Sequence, residues 1–259
     1  MNILEKIVAH KKEELHIRKI MVPVDQVVNS LHFHQPCLSL VKRLASDTTS
    51  GIIAEFKRKS PSKGFINQHA DLNQVITDYA RSGAAGLSIL TDNLFFGGST
   101  EDLVLAREHE IPLLRKDFII DPYQILDTKA MGADVILLIA SILTKNEVKS
   151  FASSAKQLGL EVLLEIHDAS ELSHICEDVD MVGINNRNLK TFSVDVNHAI
   201  SLSKLITSDK IKIAESGIDS PAMVKRFKKE GYKGFLIGET FMKESDPGVA
   251  FGNFIKQLN

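Results

Sequence analysis

Apolar residues along this chain fall into two patterns that take turns. Short, nearly continuous, β-branched runs begin near Gly51 (GIIAEFK), Gly86 (GLSILT), Ile111 (IPLLRK), Asp134 (DVILLIA), Glu161 (EVLLEIH), Met181 (MVGIN), Lys210 (KIKIAE) and Gly234 (GFLIG). Between them lie stretches with helical periodicity. Several of these stop at a glycine just before the next run, in "ARSGAAG", "KAMGAD", "AKQLGLE" and "KKEGYKG", as helices do when a left-handed residue terminates them. The eight runs start 20 to 35 residues apart, enough for a strand, a helix and two loops. Runs without polar alternation are buried on both faces, which is the mark of a parallel sheet covered by helices. Eight such units with no linker predict an α/β fold, a closed (β/α)8 TIM barrel over residues 51–259, since an open sheet would leave edges to protect.

Residues 1–50 contain no strand-like run and predict a helical extension, two or three helices belonging to the same single domain 1–259. In "MNILEKIVAHKKEELHIRKI" the residues Ile3, Leu4, Ile7, Val8 and Leu15 recur at helical spacing. That segment reads as an amphipathic helix packed on the body, not as a signal peptide, because it lacks a continuous apolar stretch. "LHFHQPCLSLVKRL" is expected to be the last helix of the extension. The chain ends soon after the eighth unit, so no fused second barrel is expected.

Within a barrel strand, side chains alternate between the interior and the helix layer, and barrel enzymes build their sites at the C-terminal strand ends. Parity therefore selects candidates. Ile53, Glu55 and Lys57 share a face in the first strand, Leu114 and Lys116 in the third, and Leu163 and Glu165 in the fifth. Gly183, Asn185 and Arg187 do so in the sixth, and Ile211, Ile213 and Glu215 in the seventh. Each set is apolar low in the barrel and polar at its end. Glu55, Lys57, Lys116, Glu165, Asn185, Arg187 and Glu215 would converge on one mouth. Charges confined there cost several kcal/mol unless they are paired, and such clusters are where pKa values are shifted for catalysis.

A second signal comes from "AESGI" (214–218) and "LIGET" (236–240), which put small residues and glycine at the ends of the seventh and eighth strands. Barrels often bind phosphate after these two strands. A phosphorylated small molecule is thus the expected substrate.

Composition adds exclusions. Of 259 residues, 44% are hydrophobic and 25% charged, and the net charge of −2 offers no global field to nucleic acid or anionic membrane. No segment approaches the roughly 20 apolar residues of a membrane span. Cys37 and Cys176 have no metal or disulfide spacing and read as reduced thiols of a cytoplasmic protein. The histidines, among them His32, His34, His167 and His174, follow no ligand signature and are expected at surfaces or in loops. With no GxGxxG after a strand, no dinucleotide is expected. No metal and no cofactor are expected, and a monomer is the expected state.

Taken in order, "IIAEFKRKSPSKG", "LSILTDNLFFGGS", "IPLLRKDFIIDPYQI", "ADVILLIASIL", "LLEIHD", "GINNRNLKTF", "AESGI" and "FLIGE" resemble the successive signature segments of indole-3-glycerol phosphate synthases. The resemblance runs from about Gly51 to Phe241, and the helical extension fits it. It implies a cofactor-free carbon–carbon lyase of tryptophan biosynthesis. The substrate would be 1-(2-carboxyphenylamino)-1-deoxyribulose 5-phosphate and the products indole-3-glycerol phosphate, CO2 and water. It further implies Lys116 as general acid on the substrate carbonyl oxygen and Glu165 as general base in dehydration. Lys57 would hold the anthranilate carboxylate, with Glu55, Asn185, Arg187 and Glu215 in support. Ser60, Ser216, Gly217, Gly238 and Glu239 map to the phosphate side, and Phe96, Phe118 and Leu137 to an apolar cradle for the aromatic ring. At Glu239, where some relatives carry Ser, a backbone contribution is implied. Asn188 stands where many relatives carry Asp, with its parity outward. Ser60, Pro61 and Gly64 belong to a loop expected to close over substrate.

On the residues alone, Lys116 has cations that would lower its pKa and the carboxylates Glu55 and Glu165 that would raise it, and the balance stays open. Two other readings share the fold: a barrel similar to phosphoribosylanthranilate isomerase, and a non-catalytic barrel that binds a phosphorylated metabolite and regulates a partner.

Overall fold

A computed structural model describes residues 2–46, 48–187 and 193–258. All eight predicted strands form, each starting within two residues of its expected position. They are β1 (Ile52–Phe56), β2 (Gly86–Leu90), β3 (Leu113–Lys116), β4 (Val135–Ile139), β5 (Glu161–Ile166), β6 (Met181–Asn185), β7 (Ile211–Glu215) and β8 (Gly234–Ile237). Each pairs in parallel with its neighbour in sequence, and β8 pairs with β1, so the sheet closes into a (β/α)8 barrel. Four of the turn glycines that precede strands, Gly83, Gly132, Gly159 and Gly231, have φ between 76° and 92°, where a side chain would be strained.

The alternation divides the core as expected. Ile53, Leu114, Val135, Leu137, Leu163, Met181, Ile213 and Leu236 fill the barrel interior. Ile52, Ala54, Phe56, Leu87, Ile89, Leu113, Val162 and Leu164 face the surrounding helices instead.

Three helices precede β1: α1 (Ile3–Met21), α2 (Val24–Val28) and α3 (Leu40–Ala45). The helix expected over "LHFHQPCLSLVKRL" is shorter than predicted, because only its last residues, from Leu40, are helical. Pro36 lacks an N–H and disfavours helical backbone in the residue before it. The Leu38 N–H leaves the chain to donate to Asp134 Oδ1 at 2.7 Å. Ser39 then caps the helix by accepting from the Lys42 N–H, and its hydroxyl also donates to Glu161. Glu161 accepts from the Leu40 and Val41 N–H groups at 2.8 and 3.0 Å. So anchored, α3 plugs the N-terminal end of the barrel, with Leu40 and Leu44 in the interior cluster. Gly86 leaves the room: a Cβ there would lie 2.8 Å from Leu40 Cδ1.

At the opposite end α1 crosses the barrel mouth. Its apolar stripe places Ile7 and Leu15 in buried positions, but the same stripe carries Lys11, which is only 1% exposed. Its ammonium lies 3.2 Å from Asp92 Oδ2, 3.1 Å from Asp117 Oδ1 and 2.9 Å from Glu14 Oε2. Asp117 also pairs with Arg115 and accepts from the Thr91 hydroxyl. The network fixes the residues on both sides of Lys116 to the outside of the barrel. Removing one member of a buried ion pair typically costs about 3–5 kcal/mol. Lys11→Met keeps most of the apolar stem, so a loss of about 3 kcal/mol in urea denaturation is expected, with faster proteolysis within α1.

Candidate active site

The strand ends enclose a cavity of about 390 Å³ at the C-terminal mouth, and all fifteen side chains or backbones singled out as candidates line it. Six of them, Lys57, Lys116, Asn185, Arg187, Glu55 and Glu215, come from or just beyond four different strands. Glu165 from β5 joins them at the centre. Lys116 Nζ sits 3.1 Å from Glu165 Oε2 and 3.6 Å from Glu215 Oε2. Lys57 Nζ pairs with Glu55 Oε1 at 2.6 Å. The Asn185 amide donates to Glu165 Oε1 at 3.0 Å, while its oxygen accepts from the Arg187 N–H at 3.0 Å. The room for Glu215 is made by Gly183, where a Cβ would collide with the carboxylate. Gly238 does the same beside Glu55.

These charges are buried and decide one another's state. Burial favours the neutral amine of Lys116, but the Glu165, Glu215 and Glu55 carboxylates outweigh it and raise its pKa above that of an ordinary lysine. The balance left open by the residues is thus settled towards a stable ammonium. Burial would likewise raise Glu165, yet the Lys116 charge, with contacts from His167 and Asn185, holds it well below the usual carboxylate range. Glu215 goes the other way. Burial, reinforced by the Glu165 charge, pushes it up to about 8 against the pull of Lys116. At neutral pH the centre therefore holds one ammonium, one carboxylate and one protonated carboxyl group.

An apolar wall stands beside this cluster. The Phe96 and Phe118 rings lie 5.9 Å apart, and Leu137 and Phe118 join the interior cluster. Parity missed part of this wall: Ile3, Leu4 and Ile7 of α1 also line the cavity. They reach the mouth from outside the βα units, where strand alternation gives no guide. The helical stripe in the first residues was the available signal.

The opposite side is polar. Ser216 and Gly217 follow β7 with φ of 65° and 68°, Ser216 being the only non-glycine with positive φ among the described residues. Such strain persists where the surroundings enforce it and gathers at functional sites. Asn186 Nδ2 donates to the Ser216 carbonyl at 2.7 Å and fixes this turn. Ser60 Oγ is buried and has no hydrogen-bond partner among the described residues. It lies in a short hairpin that pairs Lys59–Ser60 with Gly64–Phe65, so the segment expected as a loop has a strand-paired base. Lys63 at its tip pairs with Glu239 Oε1 at 2.5 Å, and Arg187 lies 3.7 Å from Glu239 Oε2. Arg58 points away, as its parity requires, and pairs with Asp102 on the outer face. Asn188 lies outside the described residues.

Among the histidines expected at surfaces or in loops, His167 lies in the loop that follows β5, but its side chain is only 13% exposed, with Nε2 3.3 Å from Glu165 Oε1. Its parity, two residues beyond Glu165, pointed to the site. Metal-ligand spacing carries no signal for it, because its neighbours are the carboxylates Glu165 and Glu171.

Comparison with known proteins bears on this site. A family model for indole-3-glycerol phosphate synthase matches residues 4–257. The chain belongs to the indole-3-glycerol phosphate synthase family. It is 46% identical over 258 residues to the enzyme of that name from Bacteroides thetaiotaomicron, covering 99% of each chain. It is 43% identical to that of Campylobacter jejuni, covering 96% of this chain and 98% of the relative. Among solved structures, the tryptophan synthase alpha subunit of Legionella pneumophila superimposes with a TM-score of 0.61 at 14% identity, over 85% of this chain and 95% of that one. The 3-hexulose-6-phosphate synthase of Salmonella typhimurium gives the same TM-score and identity over 81% and 100%. At such identity these two show the shared barrel fold and no more.

The raised Glu215 has a consequence for stability. A carboxyl group with a folded pKa of about 8 against an ordinary 4.5 retains its proton in the folded state across that window. Its contribution is therefore largest below about pH 4.5 and is lost as pH rises towards 8. Glu215→Gln stays neutral throughout. Urea denaturation of the two proteins should show the variant gaining on the wild type between pH 5 and pH 8, at no more than about 1.4 kcal/mol per pH unit, and no further above it.

Proposed function

We propose that this chain closes the indole ring of indole-3-glycerol phosphate, as a carbon–carbon lyase acting on 1-(2-carboxyphenylamino)-1-deoxyribulose 5-phosphate, and that Lys116 and Glu165 are its general acid and base. The observation that carries the assignment is the Lys116–Glu165 pair at 3.1 Å, set between an apolar wall and a polar, strained turn in one cavity. A substrate with an aromatic ring at one end and a phosphate at the other fits that division.

Ring closure joins an aromatic carbon of the anthranilate ring to the ketone carbon of the sugar. The carbonyl oxygen gains negative charge as the bond forms, and the Lys116 ammonium, kept protonated by its carboxylate neighbours, delivers a proton to it. The ring carbon that was attacked carries the substrate carboxylate. Loss of CO2 from it returns the electron pair and restores the ring, so the protein need only hold the geometry. Lys57 would hold that carboxylate, with Glu55 orienting its ammonium. The new hydroxyl then leaves as water on taking up a proton, which Lys116 can supply once it has regained one from solvent, while a base takes the proton from the carbon beside the ring nitrogen, and Glu165 is ionised for that purpose. Phe96, Phe118 and Leu137 would clasp the ring. Ser60, Ser216, Gly217 and Gly238 would receive the phosphate, with Arg187 and the Lys63–Glu239 pair at its rim. A cytoplasmic, monomeric enzyme acting on this one phosphorylated small molecule is part of the proposal. The two free cysteines, Cys37 and Cys176, suit a reducing compartment.

Product is followed by indole fluorescence on mixing the purified protein with the substrate. A positioned proton donor or acceptor contributes about 10²–10⁴-fold. Lys116→Ala and Glu165→Gln should each lower kcat by that factor, whereas Lys57→Ala should act mainly through KM. No product from the wild type would overturn the activity; full turnover by Lys116→Ala would overturn only the assignment of the acid.

A further inference from the structure

Directly behind Glu165, outside the cavity lining, His167 and Glu171 continue it into a row of three ionisable groups. The His167 ring has Nε2 3.3 Å from Glu165 Oε1 and Nδ1 3.5 Å from Glu171 Oε2. Both are ion-pair distances for a protonated ring, without hydrogen-bond geometry at either nitrogen, and both carboxylates are largely buried, with side chains 4% and 12% exposed. The main chain of His167 is held as well. Its N–H donates to Glu171 Oε2 at 2.6 Å, and its carbonyl accepts from His198 Nε2 at 2.9 Å. None of these groups is needed to bind the substrate as described above.

Their arrangement matters because Lys116 has two tasks that conflict. In the resting site it is the chief counter-charge of Glu165. During ring closure it must give its proton to the substrate oxygen. At that moment Glu165 would stand in a buried site without its cation, and would tend to take up a proton before dehydration requires it. A second cation that does not take part in the first step removes the conflict. The geometry points to His167, oriented by Glu171, as a positioning residue that keeps Glu165 ionised and aimed while Lys116 turns to the substrate. This role rests on Glu165 being the base.

The surroundings agree with an imidazolium. Burial would lower the pKa of His167, but the two carboxylates at its ring nitrogens outweigh this and push it up to about 10. The other groups facing this row are Lys116 from β3 and Asn185 from β6, in contact with Glu165, and Glu215 from β7 and Glu55 from β1, grouped around Lys116. Asp168 lies beside His167 in the chain, and His198 of the helix after β6 touches its carbonyl. None of these is a cation able to replace His167 next to Glu165 once Lys116 has turned.

The test is the pH dependence of kcat/KM. With one counter-charge gone, Glu165 holds its proton to higher pH, so the acid limb of His167→Asn should move up by about one pH unit or more. KM should stay within about twofold, and most of the rate should return above the shifted limb. Glu171→Gln should shift the same limb by less. Independently of any variant, 15N-resolved NMR of the wild-type imidazoles should show both His167 ring nitrogens protonated at pH 8. An acid limb that does not move in His167→Asn, or a His167 that titrates near its ordinary 6.5, overturns the inference. Glu165→Gln separates the two levels of the argument. Full activity in that variant removes the base assignment and this inference with it, while a crippled Glu165→Gln beside an unshifted His167→Asn removes this inference alone.

Discussion

A parallel strand buried on both faces can carry charge only at its end, and even there only beside an opposite charge. The rest of this molecule follows from that constraint. Between the strand ends the interior positions of the barrel are Ile, Leu, Val and Met or small residues such as Ser88 and Gly183, and at the last inward position five strands switch to Glu55, Lys116, Glu165, Asn185 and Glu215. Closure of the sheet brings those positions within reach of one another. What would be isolated charges in five separate strands becomes one network in which the Lys116 ammonium is shared by Glu165 and Glu215. Pairing makes the burial tolerable, and burial makes the pairing strong enough to keep two carboxyl groups only a few ångströms apart in different protonation states.

The same economy operates on the outer face and at the other end of the barrel, for structural purposes. Arg115 and Asp117 flank Lys116 with opposite parity, so their charges point outward into the network closed by Lys11. Lys116 is thereby clamped from both sides along the strand. At the N-terminal end, Asp134 and Glu161 turn their carboxylates on the segment that leads into α3 and receive its free N–H groups. The plug and the lid-like α1 are each fastened through a buried charge on the barrel, and their apolar residues complete it. Leu40 and Leu44 fill the bottom of the interior, and Ile3, Leu4 and Ile7 finish the wall of the cavity.

Much of this was legible from spacing. Parity found the seven polar groups at the mouth because alternation in a strand is strict. The glycine positions were found because left-handed turns have few alternatives. The failures have equally definite causes. The helix expected over residues 31–44 was shortened by Pro36 and by the pull of Asp134, a partner nearly a hundred residues away. His167 was set aside because a histidine has several ordinary uses, and only its neighbours Glu165 and Glu171 reveal which one applies. The contribution of α1 to the cavity depends on where a helix outside the repeating units comes to rest.

The sequence by itself determined the order of the elements, which residue of each strand faces inward, and hence which side chains would meet; these are consequences of chain stereochemistry and need no knowledge of distance. Only the tertiary structure decided their charges. Whether Lys116 is an ammonium, whether Glu165 or Glu215 keeps a proton, and whether the loop residue His167 carries charge depend on separations of 3 to 4 Å and on exclusion of water. Electrostatic energies vary steeply with both, and neither is written in the spacing of residues along the chain.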